Sequence, residues 1–234
     1  MSSFGAGGRG RWAAVRVVGM LAVAIQLTFL NVTPSVAAAL SISPAYLTGM
    51  SKAYGAPVTC TLTAVADASV NSAQANTNFG TNTQLNVSPN SLATQRAFVR
   101  FDLSGCSPAI APDAIVQTAS VRLTTASAVL ATRTINLRSV SATWTEAAIT
   151  WNNQPAVAAS NTSSAGVTLG QGAGTVISWT ATSDIQSFVA GAVADFGFRL
   201  SDSAEGTPLG LALVLSSREA ASGHPQLVVT YVNS

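Results

Sequence analysis

Charge is scarce in this 234-residue chain: 9% of its residues are Asp, Glu, Lys or Arg, against 48% hydrophobic. So apolar a composition excludes a disordered chain, and a formal net charge of +2 excludes the basic stripe that nucleic acid selects. Histidine is nearly absent. His224, in Gly223-His224-Pro225, is the single one, and its place before a proline suits a turn into a last strand. No Gly-x-Ser-x-Gly elbow supplies a nucleophile, no Cys/His cluster has zinc-ligand spacing, and no glycine-rich phosphate loop opens a helix. Glu146, Asp202, Glu205 and Glu219 could be drawn into a glycosidase pair, but acids are simply few and scattered. A non-enzyme is expected. The Asp-x-Asp-x-Asp-Gly loop of calcium sites is also missing, so no cofactor is expected. A structural calcium held by Asp67, Asp184, Asp202, Glu205 and loop carbonyls is the alternative.

Long apolar runs are missing too, except near the N-terminus. There Arg9, Arg11 and Arg16 precede Val17 to Leu30, an apolar stretch broken only by Gln26 and Thr28. Pro34 and the small residues Val36-Ala37-Ala38-Ala39 follow, so residues 1–39 read as a secretory signal. The alternative, an uncleaved anchor, needs roughly 18 to 20 apolar residues. A secreted, extracellular protein with no membrane contact after cleavage is expected. Beyond residue 39 eight basic groups face nine acidic ones, so the pI of 8.8 belongs to the leader. The only cysteines, Cys60 and Cys106, both lie past it. An even count in an exported chain points to one disulfide, with two separate buried thiols as the alternative.

Residues 40–57 show no clean periodicity and read as an arm or linker. From Val58 apolar and polar residues alternate in short runs closed by turn residues, the mark of half-buried strands. Arg96 to Leu103 puts Ala97, Val99, Phe101 and Leu103 on one face and Arg96, Phe98, Arg100 and Asp102 on the other. Val116 to Thr125, Thr134 to Val140 and Thr175 to Thr180 follow the same scheme, and Phe196, Phe198 and Leu200 line one face of a later strand. One short helix is expected over Asp184 to Ala190, with Ser183 as its N-cap. About ten strands without a βαβ rhythm predict an all-β fold: a jelly-roll-like antiparallel β-sandwich with one short helix, forming one domain over 58–234. Trp144 to Pro155 reads as a bend crossing one end of that sandwich.

Binding is the function class left open. Arg96, Arg100, Arg122, Arg138 and Arg199 all fall at outward phase on predicted strands. If those strands are neighbours, the guanidinium groups form a stripe whose forks match carboxylates or sulfates, as in an acidic polysaccharide. The alternative is that Asp102, Glu146 or Glu219 pair with them and close the face. Trp144 and Trp151 divide likewise, between stacking platforms for sugar rings and pegs in the core. The oligomeric state is not legible.

Several fragments, in order, resemble the DNRLRE-domain proteins grouped with carbohydrate-binding module family 96. They are Ala66-Asp67-Ala68-Ser69-Val70, Asn78-Phe79-Gly80, Arg100-Phe101-Asp102-Leu103, Trp144-Thr145-Glu146, Thr150-Trp151-Asn152-Asn153-Gln154-Pro155, Gly197-Phe198-Arg199-Leu200, Ser217-Arg218-Glu219 and Pro225 to Tyr231. The resemblance covers about residues 64–232 and implies an extracellular, non-catalytic β-sandwich that binds polysaccharide, in some members an acidic one such as alginate. The segment that gives the family its name would fall at Asn90 to Gln95, where only amide-rich character survives. A carbohydrate-binding module is therefore the expectation, with a structural or adhesive surface module as the alternative.

Overall fold

Where a strand has one face on a core, burial should alternate; where both faces are covered, it should not. Both kinds of strand occur here. The structure is a computed structural model that describes residues 54–208 and 210–234, all within the compact unit Met50–Ser234. The expected signal and most of the arm lie outside the described residues. The described strands are β1 (Val58–Thr63), β2 (Ala66–Asn71), β3 (Gln84–Val87), β4 (Gln95–Arg100), β5 (Ile115–Thr124), β6 (Arg133–Ser139), β7 (Ser163–Val167), β8 (Val176–Thr180), β9 (Phe198–Asp202), β10 (Leu213–Ser216) and β11 (Gln226–Val232). One α-helix, α1 (Thr182–Val189), joins β8 to β9. No described helix is long and apolar enough to cross a membrane.

All strand pairs are antiparallel. One sheet runs β1-β11-β5-β8, a second runs β2-β4-β9-β6-β7, and β10-β3 forms a two-stranded ribbon. The main core joins Val121, Leu123, Leu227 and Val229 of the first sheet to Val99, Leu137, Phe198 and Leu200 of the second, with Leu85, Val87, Leu213 and Leu215 of the ribbon. Trp179 is 1% exposed there and donates its indole N–H to the Ile135 carbonyl across the two sheets, at 2.9 Å. The expected all-β sandwich with one short helix is present.

β5 alternates as a one-sided strand should, apart from Gln117-Thr118, where a bulge shifts its register against β11. β2 does not alternate: Ala66 through Val70 are all buried. The reason is a second, smaller core on the outer face of the five-stranded sheet, made by Ala66, Ala68, Val70, Phe98, Val140, Trp144 and Ile149. Small side chains on β2 leave room for the indole, and Phe98 meets Trp144 at 5.8 Å between ring centroids, tilted by 57°.

That packing corrects the reading of Trp144 to Pro155. The stretch does not cross the end of the sandwich; it lies over one sheet face, because the apolar outer positions of β2 and β4 need cover. Three local expectations also change. The strand predicted to reach Leu103 ends at Arg100, since the Asp102 carboxylate accepts from Ser104 N–H at 2.9 Å and starts a 3-10 turn over Leu103–Gly105. The helix begins at Thr182 after Ala181, with no side-chain cap, and Ser183 lies inside it. Phe196 packs on the outer core while Phe198 enters the main one, because Gly197 between them takes φ +81° and breaks the alternation. A Cβ on Gly197 would overlap the Val99 carbonyl.

Cys60 on β1 and Cys106 after β4 form the expected disulfide, with Cα atoms 5.6 Å apart. Closing a loop across a sequence separation of 46 restricts the unfolded chain. Reduction should lower the unfolding free energy by about 2 to 4 kcal/mol, seen as a lower urea midpoint. An unchanged midpoint would show that the bridge contributes nothing to stability.

Candidate functional site

The outer face of the five-stranded sheet carries four of the five arginines. Register sets them out: Phe98 on β4 lies opposite Arg199 on β9, which lies opposite Arg138 on β6. Arg96 and Arg100 flank Phe98 on its own strand, one toward each end. Arg122 is not among them. It sits exposed on β5 in the other sheet, with Nε 3.3 Å from the Ser120 hydroxyl. The predicted stripe of five is thus a group of three (Arg96, Arg199, Arg138) with Arg100 beyond the covered apolar patch.

The four are held differently. Arg96 makes a two-pronged pair with Glu205, Nε to Oε1 at 2.8 Å and Nη2 to Oε2 at 2.7 Å, and donates to Gln154 Oε1 at 2.9 Å. Its guanidinium carbon lies 4.6 Å from the centre of the half-buried Trp151 ring. Arg100 is 5.5 Å from the Trp144 ring centre and donates to the Trp144 carbonyl at 3.3 Å. Trp144 is 5% exposed, and its indole N–H is spent on the Phe196 carbonyl at 2.8 Å, so it is a peg. Arg138 donates Nε to Asn161 Oδ1 at 2.6 Å. Arg199, half-buried between the others, has a buried Nε with no hydrogen-bond partner. Burial, and then the nearby Arg96, push its pKa down to about 10; Glu205 opposes this, and Arg138 adds to it.

A second cluster was not foreseen as one. Asp67, Glu146 and Glu219 bring carboxylate oxygens within 4.8 Å of one another, and these are the described residues that could hold a hard cation. Arg218 sits among them, with Nη1 3.3 Å from Glu146 Oε2 and Nε 3.0 Å from Glu219 Oε1. Its backbone N–H donates to Asp67 Oδ2 at 2.7 Å. Asp67 is 1% exposed; burial first, then Glu219 and Glu146, raise its pKa to about 7 against the lowering effects of the Arg218 amide and charge. These residues fall in the Ala-Asp-Ala, Trp-Thr-Glu and Ser-Arg-Glu fragments, the one sequence signal that joined them. The other oxygen candidates stay apart. Asp202 pairs with Arg133 at 3.3 Å, Glu205 with Arg96, and Asp184 lies in the first turn of α1. His224 Nε2 lies 2.7 Å from the Ala220 carbonyl, as a turn histidine does.

The fold is an antiparallel β-sandwich, one sheet face of which gathers arginines beside an indole. The particular family follows from the sequence: the model of carbohydrate-binding module family 96 matches residues 58–231, and the chain belongs to that family. Modules of such a family are typically non-catalytic. A search of the curated proteins finds no match.

The carboxylate cluster gives a pH dependence with a definite sign. The folded Asp67 carboxyl, at about 7, holds its proton more tightly than the unfolded one, near 3.8. Its contribution to stability is complete below pH 3.8 and is lost as pH rises from there through 7. Glu146, Glu219 and Arg218 face it throughout. Asp67→Asn should flatten the decline in urea-unfolding free energy between pH 4 and 8 relative to the parent, and an equal slope in both would place the titration elsewhere.

Proposed function

We propose that the protein is an exported, non-catalytic module that binds an acidic polysaccharide on the outer face of its five-stranded sheet. Family membership supports the carbohydrate; the acidic character rests on one observation. Arg199 presents a buried, unpartnered Nε between two further guanidinium groups, and Glu205 is the carboxylate set against those three cations. A buried donor without an acceptor is costly, and a uronate carboxylate or a sulfate would satisfy it while neutralising the excess charge. Arg96, already fixed by Glu205 and Trp151, forms a rigid wall. Trp151 supplies an apolar edge for a sugar ring, and Arg138 and Asn161 lie on the far side. The signal-like residues 1–39 and the Cys60–Cys106 bridge support export, since such bonds persist in oxidising compartments.

A structural or adhesive module without a glycan is the second reading. The Arg96–Glu205 pair and the buried Trp144 favour it, as parts of a closed sheet face. Arg199 does not fit it.

The test is retention of the protein on alginate, polygalacturonate, dextran sulfate and neutral dextran in affinity electrophoresis at low and moderate salt. Acidic polymers should retain it, less so as salt rises. Arg199→Ala and Arg138→Ala should each weaken that retention by about tenfold or more, the scale of a lost charge-assisted hydrogen bond, while Arg122→Ala should not. No retention on any polymer rejects the glycan-binding reading. Retention unchanged in both face variants rejects this face.

A further inference from the structure

One concave site lies away from the arginine face. It is a cavity of about 220 Å³, walled by Asn71 of β2, Phe79 and Asn82 of the following loop, Asn86 of β3 and Gln95 of β4. No charged side chain lines it. The fold builds it deliberately from polar positions. The Ser69 hydroxyl accepts from Asn86 N–H at 2.7 Å and fastens β3 beside β2. The Asn71 side-chain oxygen accepts from Ala73 N–H at 2.9 Å and starts a 3-10 turn, using one end of that carboxamide. Gln95 Oε1 is buried and has no hydrogen-bond partner.

We propose that this cavity is a second binding site, one that takes a single neutral sugar unit. Carboxamides both donate and accept, which is what the paired donor and acceptor character of sugar hydroxyls requires. The Phe79 ring offers an apolar surface to the C–H face of a sugar ring. A uronate or sulfated unit is excluded, because its charge would be buried without a cation to meet it. A purely apolar ligand is excluded as well, because it would leave Gln95 Oε1 without a donor. The volume lies below the roughly 300 Å³ at which pockets for drug-sized ligands begin, so one ring fits: a chain end or a side branch, not an internal stretch. Of the amide-rich segment Asn90 to Gln95, Gln95 is the residue that lines the cavity. It shares no side chain with the arginine face, so the two sites stand or fall separately.

Titration of the protein with D-glucose, D-galactose, D-mannose and D-xylose, followed by the side-chain NH2 signals of Asn and Gln in NMR spectra, tests it. At least one of these sugars should shift the Asn82, Asn86 and Gln95 signals saturably, and the affinity should not change with salt. Gln95→Met keeps the side chain's length and removes its amide; it should weaken binding by about tenfold without lowering the thermal midpoint. Phe79→Leu should weaken it too, while Arg199→Ala should leave it intact. If no sugar moves these signals, or if Gln95→Met binds as the parent does, the site is refuted, whatever the arginine face does with acidic polymers.

Discussion

One carboxylate, that of Glu146, ties together parts of the chain that sequence order keeps far apart. Its Oε1 accepts from Asp67 N–H on β2 at 2.8 Å, and its Oε2 faces Arg218 from the loop after β10. Its backbone carbonyl accepts from Asn78 Nδ2 at 2.7 Å, and the same amide reaches the Ile149 carbonyl at 2.7 Å. Gly80 is where the loop after β2 passes over this residue, and a Cβ there would overlap the Glu146 carbonyl. The requirement for glycine comes from this close approach. Charged and amide hydrogen bonds therefore do what secondary structure does not: they fasten an irregular segment onto a sheet. With that segment in place, Trp144 and Ile149 can cover Ala66, Ala68 and Phe98, and the second core exists.

The same clamp divides the outer sheet face. Toward Arg100 the face is roofed by Trp144; toward Arg96 the roof thins to the half-buried Trp151. What is left uncovered is the arginine group. Arg96 is the hinge between the two halves, its guanidinium beside the last indole of the roof and paired with Glu205. A protein that buries apolar surface on both sides of one sheet thus obtains a cationic strip at the margin, from side chains whose aliphatic stems are partly buried by the same packing.

The fold was largely legible because β5, β6, β8 and β11 each have one face on the main core, so period two shows in their letters. β2 hides its role for the opposite reason: alanines and a valine at outward phase do not look like a core, and they become one only when Trp144 arrives from about 80 positions downstream. The arginines could be assigned to a phase but not to a sheet. Strand order decides that, and the neighbours β4, β9 and β6 are far apart in sequence, while β5, between β4 and β6 in the chain, pairs into the other sheet and carries Arg122 with it. Trp151 kept both of its readings, being neither fully buried nor free. The clustering of Asp67, Glu146 and Glu219 was beyond spacing arguments altogether, since each comes from a different loop or strand end.

Net charge and local charge part company in this molecule, and that bears on how it could recognise anything. Beyond residue 39 the basic and acidic groups nearly cancel, so no long-range field draws a charged polymer in. The cations are instead concentrated by strand register, with Arg138 and Arg199 directly opposite each other, a placement that repels unless an anion or a nearby carboxylate answers it. Glu205 pairs with Arg96 and also acts on Arg199, while Arg138 is met by the neutral Asn161. Like charges placed side by side on paired strands cost stability, and at Arg199 burial first, then Arg96 and Arg138, all act against the charged form. On the reading proposed above, an anionic group would relieve that cost through one or two contacts, and selectivity would then come from geometry, not from attraction from afar.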